Sequence, residues 1–275
     1  MSNENIELFN DLQEAALKNA EKKQLQLDNN YEFDLLSMYF REDYYVKGIR
    51  IVQPTINDIL KIGEQKFYSG ISPFLSNSTS IRVMLWDSGI DWCKTKDIEV
   101  FNFLNILSKN QEAYKFMFPD YRIENMQLVC KVNSNKEKYL CLYDKKKDFL
   151  LEESDYNQIA EYIRTLFDIH PKIEKTKGKT TKQWMIDEDR MNIAQSIGRN
   201  NSSTLLPLVS ACINHPGFKY KTQELKDVGI YEFMDSVKRL QVYESTKALL
   251  LGSYIPFNDF SKISSEKYNF MREIK

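Results

Sequence analysis

Histidine and cysteine are scarce in this chain, with 2 and 4 residues, and their spacing excludes most of what they could do. The only two histidines, His170 and His215, are each followed by proline, which pushes the preceding residue into extended or turn backbone. A histidine-based triad needs a nucleophile and an orienting acid beside the ring, and no nucleophile elbow accompanies either one. Cys93, Cys130, Cys141 and Cys212 include no two-residue pair, so neither a zinc knuckle nor a redox motif is formed, and free, mostly buried thiols are expected. Gly178-Lys179-Thr180 resembles the end of a phosphate-binding loop, but Ile173 stands where the first glycine is required. Without that glycine or a leading strand, it reads as a solvated, lysine-rich linker.

Acids cluster at Glu152, Glu153 and Asp155 and again at Asp187, Glu188 and Asp189. Metal ligation or acid/base work would use such groups, but both clusters sit where helices are expected to begin, and the helix dipole favours carboxylates there. Asp87, Asp91 and Asp97 lack the glycine and closing glutamate of a calcium loop. The expectation is a protein that is not an enzyme and needs no metal and no cofactor.

Two features remain that point to binding. Lys131, Lys136, Lys138, Lys145, Lys146 and Lys147 are interleaved with Tyr139 and Tyr143, the combination with which single-strand binders hold phosphates and stack bases. Glu137, Asp144 and Asp148 dilute that charge, and lysines at sheet edges also guard against aggregation. The second feature is 16 Tyr, 16 Phe and 3 Trp, 13% of the chain. Tyrosine and tryptophan anchor protein interfaces through an apolar body and a polar tip. Trp86, Trp92, Tyr220, Tyr231, Phe233 and Tyr243 are the candidates for such contacts, with Phe233 equally placed to be core.

Positioning these side chains requires a mixed α+β fold, predominantly helical, with a short N-terminal hairpin and a small central antiparallel β-meander. Residues 6–27 have helical spacing. Tyr44–Val46 and Ile49–Val52 flank Lys47-Gly48 as a hairpin, and Thr55 with Asp58 forms a capping box for the next helix. Ser69-Gly70 and Pro73 are expected to end that helix, before a segment at 79–86 and a long apolar helix over 97–117. Met126–Val132, Tyr139–Tyr143 and Phe149–Leu151 read as three strands. Ser154 is read as the cap of a helix reaching Phe167, and helices are expected over 183–197, 203–213 and 229–252.

The length of 275 residues allows one large or two ordinary domains. The organisation read from the sequence is an amphipathic helix over 1–30, an α+β region over 31–168, a lysine-rich connector over 169–182 and a helical region over 183–275. A net charge of -1 provides no overall field toward phosphate backbones. The amino-terminal residues lack the basic start and apolar core of a signal peptide, which predicts a cytosolic chain without a membrane span.

Two stretches resemble a known group. The first runs Gly48-Ile49-Arg50-Ile51-Val52-Gln53-Pro54-Thr55-Ile56 and on through Asp58-Ile59, Gly63-Glu64, Phe67-Tyr68, Leu85-Trp86-Asp87 and Gly89-Ile90-Asp91-Trp92. The second comprises Phe218-Lys219-Tyr220, Ile230 to Arg239 and Leu249 to Tyr254. They are similar to proteins encoded in the tail-gene regions of phages and prophages of low-GC Gram-positive bacteria, including tail assembly chaperones. The resemblance implies a non-enzymatic tail-assembly or virion structural protein. Its partners would be the tape-measure or tube subunit, with a homo-oligomer as a further state, and its place the host bacterial cytoplasm or the virion. It carries over no catalytic residue. The different-class alternative is an accessory nucleic-acid-binding protein using the central lysines.

Overall fold

A computed structural model describes residues 31–107, 112–132, 136–196, 203–254 and 263–272. The expected helix at 6–27 lies outside them. Residues 1–34 and 35–275 form two compact units, and the account below concerns the second. The chain is 56% helical, with two small antiparallel sheets among the described residues, an α+β fold as expected.

Helix α1 (Leu35–Tyr39) leads into the hairpin β1 (Tyr44–Val46) and β2 (Ile49–Ile51), in which Val46 pairs with Ile49. Its two turn residues, Lys47 and Gly48, both have positive φ (49° and 83°), the conformation whose twist matches paired strands. Thr55 then caps α2 (Ile56–Ile62): Asp58 N–H donates to its hydroxyl, and Thr55 N–H donates to the Asp58 carboxylate at 2.9 Å. The helical run breaks at Gly63, whose φ of 92° suits a residue without Cβ.

The next helix, α3 (Glu64–Leu75), passes through Gly70 and Pro73, correcting the expectation of a break there. Proline supplies no N–H to the carbonyl of Ser69, and the Ser72 hydroxyl donates to that carbonyl instead, at 2.9 Å. Buried neighbours complete the end of the helix. Tyr156 hydroxyl donates to Pro73 O at 2.9 Å, and Arg164 donates to Phe74 O at 3.0 Å and Ser76 O at 2.8 Å.

After α4 (Arg82–Asp87), the long apolar segment forms two helices, α5 (Asp97–Leu107) and α6 (Glu112–Met117). The meander follows as β3 (Gln127–Val132), β4 (Lys138–Asp144) and β5 (Phe149–Glu152), in the order β3-β4-β5. Helix α7 (Glu153–Phe167) begins one residue after Glu152. Glu152, and not Ser154, is therefore its N-cap, with Glu152 N–H donating to the Asp155 carboxylate at 2.9 Å. Tyr156, Ile159, Ile163 and Phe167 of α7 are buried, and the helix packs against α3 and α5. Phe74 lies at the centre of this core, 5.2 to 5.9 Å from the rings of Phe101, Tyr114, Phe118 and Tyr156.

The lysine-rich stretch after α7 is held along its length. Asn77 donates to Lys172 O at 2.9 Å, Glu174 N–H donates to the Thr79 hydroxyl at 3.1 Å, and Thr176 N–H donates to Cys93 Sγ at 3.4 Å. Helix α8 (Lys179–Ser196) starts earlier than expected, so Asp187, Glu188 and Asp189 lie within it and not at its start. Asp189 instead takes two hydrogen bonds from buried Arg82, while Glu174 accepts a third at 2.6 Å. Helices α9 (Leu205–Ile213) and α10 (Ile230–Ser253) complete the fold. No helix of the described residues is long and apolar enough to cross a membrane.

Candidate protein-binding surface

The two resembling stretches meet at the start of α10. Ile230 N–H donates to Pro54 O at 2.9 Å, Ile56 N–H donates to Val228 O at 3.2 Å, and Tyr231 N–H reaches Gln53 Oε1 at 3.3 Å. Between them Gly229 is so close that an added Cβ would sit 2.3 Å from Gln53 Oε1 and 2.7 Å from Arg41 Cδ. Gln53 is itself fixed, donating to Met38 O at 2.8 Å. This junction anchors the first turns of α10, and Phe233 is wholly buried beside it.

The neighbouring face of α10 lines a groove. Tyr39, His215, Phe218, Asp235, Arg239 and Tyr243 border a cavity of about 400 Å³. His215 Nδ1 accepts from Gly217 N–H at 3.0 Å, which leaves the ring proton on Nε2, 3.3 Å from Glu244. Lys219 contacts the ring faces of Tyr39 and Tyr220 at 5.8 and 4.6 Å and donates to Glu232 at 3.0 Å. Burial works against the Lys219 ammonium, but hydrogen bonds with Tyr220, Glu232 and Tyr39 outweigh it and hold the group above the ordinary lysine range. Tyr220 donates to Glu232, and burial followed by that bond raises its pKa. Arg239 donates to Arg272 O at 2.9 Å, tying residues 263–272 beside the helix. Lys219, Tyr220, Glu232, His215 and Glu244 are paired with one another, an arrangement that stiffens this side of the groove.

Beyond the groove, apolar side chains face solvent. Helix α9 has nine residues, LLPLVSACI, none charged. Only Leu205 and Cys212 are buried, and Leu206 is 64% exposed. The last turns of α10 expose Leu251 at 62% and, just past the helix, Tyr254 at 82%. The two helices pack together. Helix α9 is held at its start by Glu64 of α3, whose Oε1 accepts from Thr204 N–H at 2.7 Å and Leu205 N–H at 3.0 Å. Burial alone would raise the Glu64 pKa, but hydrogen bonds from Ser203, Thr204 and Leu205 prevail and lower it.

The six aromatics proposed from sequence do not form one surface. Trp92 is wholly buried with Leu85 and Ile186, under the Arg82 guanidinium at 5.4 Å, and with Phe233 it serves the interior. Trp86 is half-buried at the edge of that cluster and lines a separate hollow with Asp91, Lys179 and Lys182. Tyr231 is half-buried in another, beside Asp168 and Lys238. Tyr243 lines the α10 groove, 49% exposed, and packs edge-on against Phe270 at 6.3 Å, while Tyr220 is held by Glu232 next to the groove residue Lys219. The apolar display by Leu206, Leu251 and Tyr254 was missed. Its only sequence signal was the uncharged run over 205–213, which reads equally as a buried helix.

The central lysines are divided between the two ends of the meander. Lys131, Lys136 and Lys138 lie at the β3–β4 turn and Lys145, Lys146 and Lys147 at the β4–β5 turn, about 20 Å apart across a seven-residue strand. Lys131 and Lys147 lie 4.5 Å over the rings of Tyr143 and Tyr121, occupying ring faces on which a base would stack. Among the described residues no cluster of His, Cys, Asp or Glu is arranged to hold a metal. Asp91 and Asp97 are instead engaged by Lys182 and Arg164, both at 2.8 Å. Comparison with protein-family models, curated proteins and solved structures returns no match.

Proposed function

We propose that this protein works without catalysis, by binding an apolar helical segment of another polypeptide against α9 and the end of α10. The observation that carries the reading is the set of solvent-facing apolar side chains, Leu206 on α9 and Leu251 and Tyr254 at the end of α10. Large apolar side chains held in solvent mark interaction sites, and an uncharged helix such as α9 suits a partner helix laid along it. The setting is the one the sequence resembles: assembly of a phage tail in the bacterial cytoplasm, with a tape-measure or tube subunit supplying the apolar segment before polymerisation.

Affinity capture from cells co-expressing the chain with tape-measure or tube subunits tests this. A tail subunit is expected to co-purify, to remain bound as salt is raised because apolar burial is not screened, and to be lost on combining Leu206→Ser, Leu251→Ser and Tyr254→Ser. Nucleic-acid binding predicts the opposite behaviour: retention on single-stranded DNA that falls steeply with salt.

A further inference from the structure

We infer that the outer edge of β3 is a docking site for an extended, acidic segment of another polypeptide, added to the sheet as a further strand. This surface is separate from the α9–α10 face, so its failure would leave the function proposed above intact.

In the β3-β4-β5 order the sheet has two edges, and they differ. At β5, Glu152 N–H is taken by the Asp155 carboxylate at the start of α7, which closes the end of that edge next to the helix. At β3, Leu128 N–H donates outward to Asn102 Oδ1 at 3.3 Å, which fixes the phase of the strand. Alternate residues of an antiparallel edge point their backbone groups away from the partner strand, so the Leu128 carbonyl and both groups of Cys130 face outward, followed by Val132. Among the described residues none of those groups has a partner. Asn102 thus closes the inner end of the edge, and the rest is open.

The flanking side chains determine what fits. Ile106 is 74% exposed and Val132 59% exposed, and a cavity of about 810 Å³ bordered by Asn102, Asn105, Ile106, Leu128, Lys145 and Lys146 opens at the inner end. Successive side chains of an added strand point to opposite faces. One set would meet Ile106 and Val132, and the other would meet Lys131. Exposed Lys136, Lys138, Lys145 and Lys146 make both ends of the edge positive. Acids also lie near both ends: exposed Glu137 sits between Lys136 and Lys138, and Glu124 and Asp144 border the cavity, where Glu124 Oε2 is buried without a hydrogen-bond partner, so the lysines outnumber the acids without standing alone. Asp144 accepts from Tyr121 hydroxyl and Lys146 N–H, Asp148 accepts from Tyr143 hydroxyl, and Glu124 lies 3.6 Å from Arg122. A second copy pairing through this edge would set lysine against lysine, which is unfavourable across strands. A segment alternating apolar and acidic residues complements both features.

The test uses fluorescently labelled heptapeptides of alternating valine and glutamate, valine and lysine, or valine and serine, titrated with the full chain. The glutamate peptide is expected to bind roughly ten-fold more tightly than the lysine peptide, the equivalent of one or two favourable cross-strand charge pairs. Cys130→Pro removes an outward N–H without costing a bond to β4, and should weaken the glutamate peptide roughly ten-fold or more while leaving the melting temperature nearly unchanged. Lys131→Glu, on the solvent face, should reverse the preference between the glutamate and lysine peptides, and it decides the matter by itself if the proline variant does not fold. Equal binding of the three peptides, undiminished binding by a folded Cys130→Pro variant, or a dimer in sedimentation that Cys130→Pro abolishes would each overturn the proposal.

Discussion

The core around α7 and the helical face of α9 and α10 treat exposed chemistry in opposite ways. Around α7 even an arginine is buried, 5% exposed, because each direction of its guanidinium meets an acceptor: Phe74 O, Ser76 O, Asp97 and Glu161. On α9 and the end of α10, leucine and tyrosine stand in solvent although nothing polar obliges them to. A buried charge persists only where it is fully paired, so the first region is committed to stability. Exposed apolar surface contributes nothing to the isolated fold, so the second is where a partner would act.

Substitutions should separate the two regions. The largest effect is expected from Arg164→Ala, which strands two carbonyls and two carboxylates and should cost roughly 3 kcal/mol of unfolding free energy in denaturant titrations. Gly229→Ala drives a methyl group into Gln53 and Arg41 and should cost about 2 kcal/mol. Glu64→Ala removes the acceptor at the start of α9 and should cost about 1 kcal/mol. Because the folded pKa of Glu64 is lowered, its contribution is complete above about pH 4.3 and is lost as pH falls through the folded value. The difference between wild type and Glu64→Ala should therefore shrink in acid, and a difference independent of pH would remove Glu64 as the cause. Smallest of all, Leu251→Ser should change stability by less than about 0.5 kcal/mol while weakening partner capture.

Much of the architecture was legible because it rests on local chemistry. Lys47-Gly48 marks a tight turn, Thr55 and Asp58 are a capping pair three residues apart, and the meander alternates between charged turns. Misreadings arose where a distant or neighbouring group overrides a local signal. Pro73 does not end α3, because Ser72 serves the carbonyl that proline leaves and Tyr156 and Arg164 close the helix from α7. The site was less legible than the fold. Trp86 and Trp92 look alike in sequence, but Ile186 on α8 covers the second and leaves the first half-buried. Whether an apolar side chain is core or surface depends on which other element arrives over it, and local spacing does not encode that.

The central claim, that the α9–α10 face holds another polypeptide, is tested most directly by capture of a co-expressed tape-measure or tube subunit on the wild-type chain and on the Leu206→Ser, Leu251→Ser, Tyr254→Ser variant. The account predicts salt-resistant capture by the wild type and its loss in a variant that melts normally. Equal capture by both, or no tail subunit recovered by either, would contradict it.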